Sequence, residues 1–366
     1  MKQELKKQEH IYGIDLLRIL CMFMICLVHV LGNGGVLEAC QDDRLRKFLV
    51  YFLEAASYCC VDCYALISGY VGLNAGRKYT NIVMLWIEVV FYNIIITALF
   101  ANFMPGSVGQ NEIMAALLPL TFTRARWYFK AYVGLFFLMP MLNAAIKKLP
   151  RRRMAMLTVF YTAFVIFLTL VDEKASDGQP TFGNNILLLS FLYLIGGYFR
   201  EYGFPNMIKK QHWLICYGLL TVLLTAGITF GDLLPGKLSA VGNLAVKGGY
   251  NNSPITILAA ICLFAVFVNI KNVPCKKFVK TLGGLTFGIY IVHTDPLFYN
   301  LLLKDRFVWV ADEPAVLTFL YPLLAAATIF IISGCIEYLR SKLFGLLHIR
   351  EGLQKLENRI TTKVKL

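Results

Sequence analysis

Apolar runs of about twenty residues, separated by short polar or basic stretches, recur from Ile11 to about Leu339. Wound as a helix, a run of this length matches the hydrocarbon thickness of a bilayer. Ten such runs can be placed, at 11–31, 48–73, 82–104, 127–146, 154–171, 186–199, 213–230, 253–270, 281–303 and 314–339. None alternates apolar and polar residues as a barrel strand does. The stretch 111–123 reads as an interfacial or re-entrant helix rather than a span. No internal repeat and no long low-complexity linker is present. The pattern predicts an all-α protein, a polytopic transmembrane helical bundle of about ten spans.

Composition agrees. With 58% hydrophobic residues, 16% charged residues and a mean hydropathy of +0.62, a soluble globular chain is excluded. The net charge of +14 does not point to nucleic acid, because the lysines and arginines follow the loops. Alternate loops differ about twofold in these residues, which puts the N- and C-termini in the cytoplasm. Residues 1–339 read as one integral membrane domain. Residues 340–366 read as a basic cytoplasmic tail with Leu343, Phe344, Leu347, Leu353, Leu356 and Ile360 among its basic residues, either a helix lying on membrane lipids or a solvated helix packed on the loops. Eight cysteines (Cys21, Cys26, Cys59, Cys60, Cys63, Cys216, Cys262 and Cys335) lie in apolar runs and read as small buried hydrophobes. No metal site is expected, since no second Cys/His pair follows Cys59, Cys60 and Cys63 at zinc spacing.

The chemistry lies in the polar residues that interrupt the apolar runs. The first span carries Asp15, Arg18 and His29. Arg18 and His29 are eleven residues apart, which on a helix leaves them about 20° apart in direction and about 16 Å apart along the axis. An arginine inside a span must face protein or water, so this face is expected to line an interior cavity. Asp62, Ser68 and Tyr70 lie in the second run, and Glu88 and Asn93 in the third. His293, about twelve residues into its run, lies near the depth of His29. Blander roles stand beside these: Asp15 pairing with Arg18 at i,i+3, Asp62 or Glu88 serving as counter-ion of Arg18, and His293 bonding a carbonyl. His29, whose side chain titrates near neutrality, suits proton transfer best. The run from Lys147 to Arg153 reads as an orientation signal rather than a coenzyme clamp. Arg124, Arg126, Trp127 and Tyr128 read as interface anchors or as contacts to an acceptor.

Four motifs occur in order: Arg18-x10-His29, CYALISGYVGL at 63–73, RARWYFKAYVGLFFLMPMLN at 124–143, and TFGIYIVH at 286–293. Together they resemble the acyltransferase-3 family of integral membrane O-acyltransferases, from which the chain departs at Tyr64-Ala65 and in keeping only Arg77 and Lys78 after the second motif. The resemblance implies acetyl-CoA as acyl donor, no metal, and a hydroxyl on a carbohydrate or lipid-linked glycan as acceptor. It also implies a place in the cytoplasmic membrane of a prokaryote. His29 would be general base or acyl carrier, with Asp62 and His293 beside it. Arg18, Ser68, Arg77 and Lys78 would hold the donor, and Trp127, Tyr128 and Tyr290 the acceptor. The competing reading is a transporter or exporter of a glycan or small polar substrate, since intramembrane charges serve transport as well.

Overall fold

The structure, a computed structural model, describes residues 10–74, 78–118, 126–171, 186–205, 208–233, 235 and 253–364. Each stretch that the pattern marks as a span carries a helix, but in 281–303 the helix ends at His293 and short irregular turns follow. α1 (Tyr12–Leu31) leads into the single turn α2 (Val36–Ala39). α3 (Arg44–Ser57) and α4 (Cys60–Gly72) form one apolar stretch interrupted at Tyr58 and Cys59. Next come α5 (Tyr79–Phe103), the short α6 (Gln110–Leu117), α7 (Trp127–Lys148), α8 (Arg151–Val171), α9 (Ile186–Tyr202) and α10 (Lys210–Phe230). α11 (Pro254–Val268), α12 (Lys276–His293), α13 (Ala315–Leu346) and α14 (Ile349–Val364) follow, with irregular turns between α12 and α13. No strand occurs among the described residues. Six of these units are long and apolar enough to cross a membrane: α1, α3 with α4, α5, α7, α10 with the turn after it, and α13. α9 and α11 are shorter, at 17 and 15 residues. Arg77 and Arg124 lie outside the described residues, as does the part of 111–123 beyond Leu118.

The bundle has an inside and an outside. In α1, 61% of the apolar window is buried, and in α3–α4 67%, against 17% in α13 and 22% in α5. These two, with the mostly buried α9, α11 and α12, form the centre, and α5, α8, α10 and α13 turn large apolar side chains such as Phe103, Phe160, Leu223 and Leu339 outward. α1 packs on α12, α13 and α4, which encloses its polar face in protein. α4 and α9 approach backbone to backbone. A methyl group at Gly69 would enter the Tyr193 backbone, and one at Gly196 that of Leu66. Lipid tails give helices no hydrophobic reason to associate, so close packing of this kind is what holds them.

Two polar devices tie the outer helices in. Arg340 of α13 is buried between Glu337 of its own helix and Glu88 of α5. Tyr92 of α5 donates to Glu337 at 2.7 Å. On α12 the Glu337 carboxylate occupies the place a side chain at Gly288 would need. Arg340, which the sequence places at the head of the tail, thus sits inside the bundle. Of the cysteines expected to be buried, Cys21, Cys59, Cys60 and Cys63 are buried free thiols. Cys216 and Cys335 instead lie exposed on the outward faces of α10 and α13, where an apolar run is satisfied by lipid as well as by protein.

The second device is a cap supplied from far along the chain. Glu357 of α14 accepts from the backbone N–H of Tyr79 at 2.6 Å and of Thr80 at 3.1 Å, and from the Thr80 hydroxyl. A carboxylate on first-turn amides satisfies donors that no intrahelical carbonyl can reach. The Thr80 hydroxyl first, then the Thr80 and Tyr79 amides, hold the Glu357 carboxyl below its usual range. Because the folded value is depressed, the contribution to stability is present above the unfolded pKa of about 4.3 and is lost as pH falls through the folded value. Glu357→Gln should melt below wild type at pH 7, and the gap should close in acid below about pH 4. Melting curves of the detergent-solubilised pair across pH measure this, and a gap constant with pH contradicts it.

Candidate active site

Two histidines meet where α1 and α12 end. Nδ1 of His29 lies 3.1 Å from Nε2 of His293, and Nδ1 of His293 lies 2.7 Å from the Ile289 carbonyl. A carbonyl only accepts, so His293 carries its hydrogen on Nδ1 and keeps a lone pair on Nε2. His29 must then donate from Nδ1, which leaves its own lone pair on Nε2. The chain carbonyl, His293, His29 thus sets the second histidine in one tautomer. Tyr299 stands edge-on to His29 with ring centroids 5.3 Å apart, and the Cys26 sulfur lies 4.0 Å from the ring nitrogens of His293. Among the described residues no carboxylate bonds either imidazole.

Arg18 occupies the other end of the same helix face. Its Nη1 donates to Asp15 Oδ1 at 2.9 Å, and His10 Nε2 lies 2.5 Å from Asp15 Oδ2. The local i,i+3 pair is therefore what forms, and neither distant carboxylate serves as counter-ion. Glu88 is committed to Arg340. Asp62 is fully buried in the first turn of α4, and neither of its oxygens has a hydrogen-bond partner. The positive end of the α4 dipole, at the interruption in the span, is the favourable charge nearest to it along the chain.

Tyrosines bridge the two ends. The Tyr64 hydroxyl donates to the Arg18 carbonyl at 2.7 Å. Ser68 donates to the Tyr64 carbonyl at 2.8 Å. The Tyr128 ring lies 6.4 Å from Tyr64, 6.3 Å from Tyr132 and 6.4 Å from Tyr290, and Tyr290 lies 6.4 Å from His293. Tyr128 also meets Trp127 edge-on at 5.7 Å. His29, Tyr64, Tyr128 and Tyr132 have protein on all sides, yet each keeps part of its surface open. A row of partly open phenol and aromatic faces thus joins Arg18 to the histidine pair.

Some residues stand elsewhere than their sequence suggests. Arg126 is neither an interface anchor nor open to an acceptor. In a left-handed backbone conformation (φ 61°) it is buried, bonded to Asp295 at 2.7 Å, to the Ile291 carbonyl at 3.2 Å and to the Asn93 side chain. It straps the start of α7 to the end of α12, where His293 sits. Asn93 thus belongs to the histidine end, whereas Glu88 lies one and a half turns back along α5. Lys78 is exposed at the foot of α5, near Glu357.

Other residues go unremarked in the sequence. Glu54 of α3 is buried with one oxygen unpartnered and lies within electrostatic reach of Tyr299. It shares its apolar run with Asp62, and a carboxylate inside a span is the signal that marks it. Arg200, at the last turn of α9, lies over the Tyr70 ring at 4.9 Å.

A family model described as an acyltransferase domain (Acyl_transf_3) matches residues 11–338. No curated protein and no solved structure matches the chain.

Proposed function

The chain belongs to the acyltransferase-3 family and is a membrane acyltransferase; from that premise we propose that it moves an acetyl or short acyl group from cytoplasmic acetyl-CoA to a hydroxyl of a carbohydrate or lipid-linked glycan. The lysine and arginine bias supports ten spans with both termini cytoplasmic, in the inner membrane of a prokaryote. In this reading the tyrosine row walls a tunnel whose Arg18 end faces the donor and whose histidine end faces the acceptor. The observation that carries this reading is the accessible wall of tyrosines joining those two ends.

The geometry divides the labour. His29 Nε2 takes the proton of the acceptor hydroxyl as its oxygen attacks the thioester carbonyl. The tetrahedral intermediate collapses with cleavage of the carbon–sulfur bond, and the leaving sulfur recovers the proton from His29. His293 keeps Nδ1 of His29 occupied and so keeps Nε2 free for this exchange. Arg18, about 16 Å away along an unbroken helix, is too far to stabilise the oxyanion and instead holds the donor. The Tyr290 ring, 6.4 Å from that of His293, stands at the reaction end, and Trp127 and Tyr128 offer the acceptor aromatic faces.

Sided proteoliposomes test the reading. Acetyl-CoA presented on the cytoplasmic face should release free thiol, faster when a polysaccharide acceptor is present on the opposite face. Wild-type protein that neither binds nor consumes acetyl-CoA, and instead moves a glycan unchanged across the membrane, would establish transport.

A further inference from the structure

At the Arg18 end the chain gathers more positive charge than its own carboxylate neutralises. A cavity of about 170 Å³ opens there between α1, α4 and α9, lined by His10, Asp15, Arg18, Tyr70 and Arg200 with aliphatic neighbours. Asp15 is shared between Arg18 and His10. Arg200 has no carboxylate and no hydrogen-bond acceptor among the described residues; its only recorded contact is the Tyr70 ring, 4.9 Å below it. Lys276 adds a third fixed cation close by, over the Tyr12 ring at 5.4 Å, and Tyr12 in turn meets His10 at 4.7 Å.

A guanidinium resting on an aromatic face keeps its planar fork of donors unspent while its position is held. The Arg18 fork, half-spent on Asp15, and the free Arg200 fork face a cavity holding about five or six waters' volume, which suits an oxyanion of phosphate or pyrophosphate size. A carboxylate would need only one fork, and a purine ring carries no negative charge to meet two of them. We propose that Arg200, with Arg18, forms the binding site for phosphate groups at the nucleotide end of the acyl donor. Naming the donor as the source rests on the function proposed above; the anion site itself rests on the charge and the cavity. A lipid headgroup is the other source of the same chemistry. The donor is favoured because Arg18 shares a helix face with His29 about 16 Å away, a distance that an extended pantetheine arm covers.

The test has two parts, read on wild type, Arg200→Gln and Arg200→Lys, with melting temperature as the check on folding. Inorganic pyrophosphate should bind detergent-solubilised wild type and bind Arg200→Gln about tenfold more weakly or worse, with Arg200→Lys between them. Short-chain phosphatidylglycerol should not compete. In turnover, the kcat/KM ratio of acetyl-CoA over S-acetylpantetheine, which lacks the nucleotide phosphates, should fall about tenfold in Arg200→Gln. An unchanged ratio, or equal loss on both donors, overturns the assignment to the donor. Pyrophosphate binding that ignores Arg200 overturns the site, and displacement by the lipid assigns it to a headgroup. If wild type turns over neither donor, the acyl-transfer reading fails while the pyrophosphate titration still decides the anion site.

Discussion

His29→Ala should lose two to four orders of magnitude in acyl transfer while binding acetyl-CoA as wild type does. The lone pair on His29 Nε2 exists because Nδ1 is engaged by His293, and His293 is fixed in turn by the Ile289 carbonyl. Removing the imidazole removes the nitrogen that this relay leaves free to take the hydroxyl proton. His293→Phe should give a smaller loss, because His29 stays but its tautomer is no longer enforced. Rapid-quench measurement of thiol release under single-turnover conditions separates these steps from donor binding. A His29→Ala protein that keeps a tenth of wild-type turnover would sink the general-base role. His293→Phe falling as far as His29→Ala would mean that the two rings act as one unit.

The largest loss of stability is expected at the other end of the molecule, in Arg340→Met. The substitution keeps the length of the side chain and deletes the cation shared by Glu88 and Glu337. Breaking a buried ion pair by removing one partner costs about 3–5 kcal/mol, because the charge left behind has no compensation. Here two carboxylates are left, with Tyr92 able to donate to only one of them. Adding Glu88→Gln and Glu337→Gln to Arg340→Met should recover most of the loss, since neutral amides need no counter-ion. Thermal unfolding in detergent reads both results. A single variant as stable as wild type, or a triple variant no better than the single, would show that the cluster does not hold α5 to α13.

The sequence revealed depth better than direction. Arg18 and His29 could be placed on one face because a helix repeats every 3.6 residues, and His293 could be brought near the depth of His29 because both runs lead outward and depth is counted along each. Which neighbour each side chain turns toward depends on how helices rotate against one another, and the apolar runs carry little of that. Glu88 therefore looked as good a partner for Arg18 as Asp62, yet Glu88 turns to Arg340 and Asp62 bonds nothing. Arg126 precedes a Trp-Tyr pair at the end of a span, the place for an interface anchor. A left-handed backbone turn folds it inward onto Asp295 instead. Arg200 resembled any basic residue closing a span, and only the placement of Tyr70 beneath it and Arg18 across the cavity gives it a partner chemistry.

The cap on α5 sets an order of assembly. Its carboxylate, Glu357, comes 277 residues after Thr80, the residue it holds. A ribosome adds about 5–20 residues per second, N-terminus first, so the newly made α5 waits roughly a quarter to a full minute before that carboxylate exists. During this interval its first-turn amides have to be met by water or lipid headgroups at the membrane surface. Docking of α14 is therefore among the last events in maturation, and its arrival reports that the helices between the two ends have already been laid down.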